Sequence, residues 1–70
     1  MMTERSDAAL ADNVLRMMGE RDWTNAEVAR RSGLKPGHVS MILSRKVGVT
    51  LRTLRMLRDG FGCSWDELLG

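Results

Sequence analysis

The residue types able to do chemistry in this chain are mostly cations, and they are unevenly placed. From Val28 to Arg58 there is no Asp or Glu, while Arg30, Arg31, Lys35, Arg45, Lys46, Arg52, Arg55 and Arg58 put eight positive charges into the run. Residues 1–27 carry six acids against three arginines, and residues 59–70 carry three acids and no base, so the net charge of +2 conceals a strong segregation of sign. Such segregation is what a polyanion-binding face on a near-neutral body requires. Other chemistries find little material. The one cysteine, Cys63, allows no internal disulfide and builds no metal cluster with the one histidine, His38. No carboxylate pair lies in an apolar stretch and no glycine-rich phosphate loop is present. With 70 residues there is little bulk to enclose a pocket, so no enzymatic activity, cofactor, metal or small-molecule substrate is expected.

Two short helical patterns inside the basic run must position these cations. The stretch from Thr24 to Ser44 is broken once, at Ser32-Gly33-Leu34. Thr24 suits an N-cap, and the Glu27 carboxylate can reach back to the Thr24 amide, so a helix is expected from Asn25 with Val28 and Ala29 inward and Arg30 and Arg31 outward. Gly33 can end it in the left-handed conformation. Pro36 suits the first turn of a second helix, because its φ is already helical and its missing N–H would have no partner. At about 100° per residue, Val39, Ile42 and Leu43 share one face of that helix, Gly37, Met41 and Ser44 the opposite one, and His38 and Ser40 the flanks. One face is core; the other is small, nearly uncharged and free to approach a partner.

The remaining chain reads as support. Met1 to Arg5 is polar and aperiodic and is expected to be a disordered N-terminus (residues 1–5), ahead of a single domain over residues 6–70 whose motif occupies about 24–44. Ser6 can cap a first helix with Leu10, Val14, Met17 and Met18 as its apolar stripe, ended by Gly19 and Glu20-Arg21-Asp22. Trp23 then sits where a staple residue would pack on Val28. After the basic loop Arg45-Lys46-Val47-Gly48-Val49, Thr50 can cap a fourth helix with Leu51, Leu54, Leu57 and Phe61 buried and Gly60 and Gly62 ending it. Ser64 with Glu67 forms a second capping box, opening a last turn with Trp65, Leu68 and Leu69. The expectation is an all-α, compact five-helix domain without strands. Its reduced cysteine, and the lack of a membrane-length apolar run or signal peptide, point to a cytoplasmic protein that needs no membrane.

Thr24-Asn25-Ala26-Glu27-Val28-Ala29, Gly33, Val39 and Ile42, and the tail from Leu54 and Leu57 through Phe61-Gly62-Cys63-Ser64-Trp65-Asp66-Glu67-Leu68-Leu69 together resemble the lambda-repressor and Cro-like (Xre) helix-turn-helix family, over roughly Asp7 to Leu69. The resemblance implies a lambda-repressor-like fold and a regulator that binds double-stranded DNA, most like a small phage-type repressor, Cro-type or controller protein at home with the nucleoid. It places Pro36, Gly37, Ser40 and Met41 against bases in the major groove. That set lacks Gln, Asn and Arg, so what remains is the Ser40 hydroxyl, a Met41 side chain able to pack on a thymine methyl, close approach at Gly37, and help from shape and from Lys35, His38 or Arg45. Phosphate contacts are expected at Asn25, whose helix end offers free amides, and at Lys35, Ser44, Arg45, Lys46 and Arg52, which flank the second motif helix. One such domain covers about half an operator, so a homodimer on a palindromic site is expected, pairing through Phe61, Trp65 and Leu69 unless these simply close the monomer core. In many relatives an Arg late in the first helix pairs with a Glu late in the second motif helix. Met18 and Leu43 stand there instead, an exchange of ion pair for apolar pair that is often neutral or stabilising. An antitoxin or adaptor using the same fold to hold a protein is the alternative.

Overall fold

A computed structural model describes residues 4–44 and 49–70. Over those residues it contains five helices and no strand: α1 (Glu4–Arg21), α2 (Asn25–Ser32), α3 (Pro36–Leu43), α4 (Leu51–Phe61) and α5 (Trp65–Leu69). Helix α1 begins at Glu4, two residues before the expected Ser6 cap, so Glu4 and Arg5 of the expected disordered lead are helical. Nothing in the sequence between Thr3 and Ala8 breaks a helix.

Three corners are turned with one backbone device. At the end of α1, Asp22 takes a left-handed φ of 60°, the Trp23 amide donates to the Met18 carbonyl at 2.9 Å, and the Asp22 amide to the Gly19 carbonyl at 3.4 Å. At the end of α2, Gly33 has φ 75° and the Leu34 amide reaches the Ala29 carbonyl at 3.0 Å; at the end of α4, Gly62 has φ 65° and the Cys63 amide reaches the Arg58 carbonyl at 3.2 Å. Each is the six-to-one closure that satisfies helix-end carbonyls. The residue after each left-handed position, Trp23, Leu34 or Cys63, packs on the core, and the residue after that, Thr24, Lys35 or Ser64, is extended and begins the next helix. Gly19, expected to stop α1, stays within it. Asp22 does the stopping, since a short polar side chain tolerates the left-handed region better than most.

The core is built from Leu10, Ala11, Val14, Met17 and Met18 of α1, Val28 and Ala29 of α2, Val39 and Ile42 of α3, Leu54, Leu57 and Phe61 of α4 and Leu68 of α5. α2 packs against α3 and α4, while α1 packs against α3 and α5. Met18 lies in this cluster and Leu43 packs against it, so both expected apolar positions join the core. Gly60, expected to end α4, is inside it at the crossing with α2, where a Cβ would collide with Ser32 Oγ and come within 2.9 Å of Ser32 Cα and 3.0 Å of the Arg31 carbonyl oxygen. Trp23 stacks on Phe61 with ring centroids 5.1 Å apart. Leu51 departs from the expected stripe: it is 57% exposed on the first turn of α4, and Thr53 is buried in its place, its hydroxyl accepting from Thr50 Oγ1 at 3.2 Å. α5 is tied to α1 by Asn13 Nδ2 donating to the Leu68 carbonyl at 2.9 Å, and both halves of the Ser64–Glu67 capping box form. At Thr24 only the forward half forms; the Glu27 carboxylate is taken by Arg30.

Candidate nucleic-acid interface

Helix α3 is held by Val39 and Ile42, both buried, so the opposite face must point outward. Pro36, Gly37, Ser40, Met41 and Ser44 are all exposed, Met41 by 45%, and His38 is half-buried on the flank. The structure thus brings the four expected base-contacting residues onto one accessible surface. The Ser44 hydroxyl donates to the Met41 carbonyl at 3.1 Å, which engages its proton within the helix end. Lys35 occupies the N-cap position of α3 without a side-chain cap, and Pro36 follows at the first helical position.

Of the expected phosphate-contacting residues, Asn25 is half-buried at the start of α2, and Lys35, Ser44 and Arg52 are exposed; Arg45 and Lys46 lie outside the described residues. Acids flanking the basic run claim several of its cations. Glu27 accepts from Arg30 Nε at 2.7 Å and Nη2 at 2.9 Å and stands 3.5 Å from Arg31, while Asp59 pairs with Arg58 at 3.1 Å. The Arg30 hydrogen bonds, with the charges of Arg30 and Arg31 beside them, hold the Glu27 carboxyl below its ordinary value of 4.5 and raise Arg30. Arg31 also lies 4.4 Å from the Trp23 ring centre, and Arg58 4.6 Å from that of Trp65. Lys35, Arg52 and Arg55 form no ion pair with the described residues. Arg52 and Arg55 are both exposed on α4, three residues apart.

Phe61, expected at a pairing surface, is closed inside the monomer at 5% exposure, because its ring serves the Trp23 stack. Trp65 is half-buried under Arg58, and Leu69 is 40% exposed. Burial, then the nearby Glu67, pushes the half-buried Cys63 thiol up. Among the described residues no group of three His, Cys, Asp or Glu is placed to hold a metal ion, and no helix is long and apolar enough to cross a membrane.

In comparison with known proteins, a family model described as a Cro/C1-type HTH DNA-binding domain matches residues 13–70. No curated protein and no solved structure matches.

Proposed function

The chain belongs to the Cro/C1-type helix-turn-helix DNA-binding domains, and from that premise we propose that it is a sequence-specific regulator that binds a palindromic operator as a homodimer and represses by occupying it. The observation that carries this reading is the two-sidedness of α3: Val39 and Ile42 anchor one face while Pro36, Gly37, Ser40 and Met41 are exposed on the other, and Lys35 before it and Arg52 on α4 are exposed cations without an ion pair among the described residues. In this reading α3 enters the major groove, Ser40 and Met41 meet base edges, and Asn25, Lys35, Ser44, Arg45, Lys46 and Arg52 fix the register on phosphates. The longest dimension of the domain is 28 Å, short of the roughly 34 Å between successive major grooves on one side of the duplex, so one copy fills one half-site and two are needed for a palindrome. Pairing falls to α5 through Leu69 and the open edge of Trp65.

The test is selection of duplexes from a random pool by the purified chain, followed by gel shift of the winner across a salt series. Log K should fall linearly with log salt, at about 0.9 per neutralised phosphate. Lys35→Ala and Arg52→Ala should weaken all sequences alike and each reduce the slope by about 1, whereas Ser40→Ala and Met41→Ala should change which bases are preferred. Selection that enriches no sequence, or affinity indifferent to salt, overturns the proposal.

A further inference from the structure

Resting on the duplex-binding reading above, we propose that α3 reads pyrimidine C5-methyl groups through a notch between the Gly37 backbone and the Met41 side chain. Three observations converge on it. The first is the shortage of hydrogen-bonding groups. No Gln, Asn, Arg or Lys lies within α3, so no side chain there can grip a purine edge bidentately. Of the two hydroxyls at its outer surface, Ser44's is already donated to the Met41 carbonyl, which leaves Ser40.

The second is Gly37. Its φ is not in the left-handed region, and a Cβ built there would meet no heavy atom within 4 Å. Neither backbone conformation nor packing therefore calls for glycine, although glycine disfavours a helix more than any residue but proline. What the missing side chain supplies is room on the outer face.

The third is Met41, four residues on and so on the same face one turn later. Helical side chains lean toward the N-terminus, a direction that leads from Met41 to the bare backbone at Gly37, and no heavy atom lies within 4 Å of a Cβ built there. An exposed, unbranched and polarisable side chain beside open space suits a methyl group. Thymine and 5-methylcytosine both project that methyl into the major groove, and either could be the natural source.

The experiment uses the whole chain and its selected duplex. Deoxyuridine replaces each thymine in turn, 5-methylcytosine replaces each cytosine, and affinity is read by fluorescence anisotropy. At one or two positions per half-site, loss or gain of a single methyl should change affinity about fivefold. Response at thymines identifies thymine as the source; response at cytosines identifies methylated DNA. In Met41→Ala the same change should shrink below about twofold, while Gly37→Ala should melt higher than wild type yet bind its duplex about tenfold more weakly. Sequence-specific binding that ignores every methyl overturns the methyl reading and leaves duplex recognition standing; no sequence-specific binding overturns both. Methyl sensitivity unchanged in Met41→Ala, or Gly37→Ala binding as wild type, also overturns the notch.

Discussion

Two glycines inside helices should respond to the same substitution with opposite sign. Gly60→Ala brings a Cβ into α2, where two of the three atoms it meets are backbone, Ser32 Cα at 2.9 Å and the Arg31 carbonyl oxygen at 3.0 Å. Rotating a side chain cannot clear backbone, so α2 and α4 must separate at their closest crossing. Overpacking of that kind costs about 3 kcal/mol at the upper end, and the better helix propensity of alanine returns about 1 kcal/mol, leaving a loss of about 2 kcal/mol. For a domain of this size 1 kcal/mol moves Tm by about 4–8 °C, so the variant should melt about 10 °C below wild type. Gly19→Ala is the mirror experiment: Gly19 is exposed, helical and has nothing within 4 Å of a Cβ, so only the propensity gain remains and Tm should rise by about 4–8 °C. Thermal melting followed by circular dichroism reads both. Adding Ser32→Ala to Gly60→Ala removes the hydroxyl collision but neither backbone contact, so it should restore less than half of the loss. Melting of Gly60→Ala at or above wild type would show that the two helices do not cross as closely as described.

Three further outcomes follow from the caps and ion pairs. Asp22→Gly relieves a left-handed conformation at the α1 corner and should raise stability by about 1 kcal/mol, read as a higher urea midpoint with unchanged slope. Because Arg30 and Arg31 depress the folded Glu27 carboxyl, its contribution is complete above about 4.5 and is lost as pH falls through the lower folded value. The Tm gap between wild type and Glu27→Gln should therefore be present at pH 7 and close on acidification below 4.5; a gap that widens there would reverse the assignment. Lys35→Ser supplies the hydroxyl that α3 lacks at its N-cap, so thermal melting should show a gain of about 1 kcal/mol, while gel shifts show uniformly weaker duplex binding.

What was legible in the sequence was whatever depends on near neighbours. The 3.6-residue stripe located α1 and α4, Thr24, Thr50 and Ser64 announced helix starts, and Gly33 and Gly62 announced ends, because each signal acts over three or four residues. The outward face of α3 came from the same periodicity. The misreadings share a different cause. Gly60 looked like a terminator because its reason, the Ser32 backbone, is 28 positions away, and of the two roles left open for Phe61 burial was hidden because its partner Trp23 lies 38 positions away. Leu51 counted as core by type, but a residue on the first turn of α4 projects past the core edge, and Thr53 could be buried once Thr50 satisfied its hydroxyl. The charge run misled by omission: Glu27 and Asp59 stand just outside it and claim Arg30, Arg31 and Arg58. The Glu27 pairs, at i+3 and i+4, could have been read from spacing.

The three corners permit a comparison within one molecule, since they share a backbone and differ in side chains. Where α2 and α5 begin, Thr24 and Ser64 each accept a first-turn amide; where α3 begins, Lys35 accepts none. Two residues on stands Gly37 in open space, and four beyond that an exposed Met41. The absent cap and the glycine each cost the isolated fold about 1 kcal/mol, and neither is offset by a contact among the described residues. Among the described residues the other open helical glycine, Gly19, lies with the left-handed Asp22 at the end of α1, and these carry similar costs beside the Glu20 ion pairs. On α3 the choices that disfavour the fold lie opposite the buried anchors Val39 and Ile42, on the exposed face. A chain shaped by stability alone would have placed a hydroxyl at position 35 and a longer side chain at 37; that it keeps a cation and an empty backbone there is the physical argument for a partner at this face.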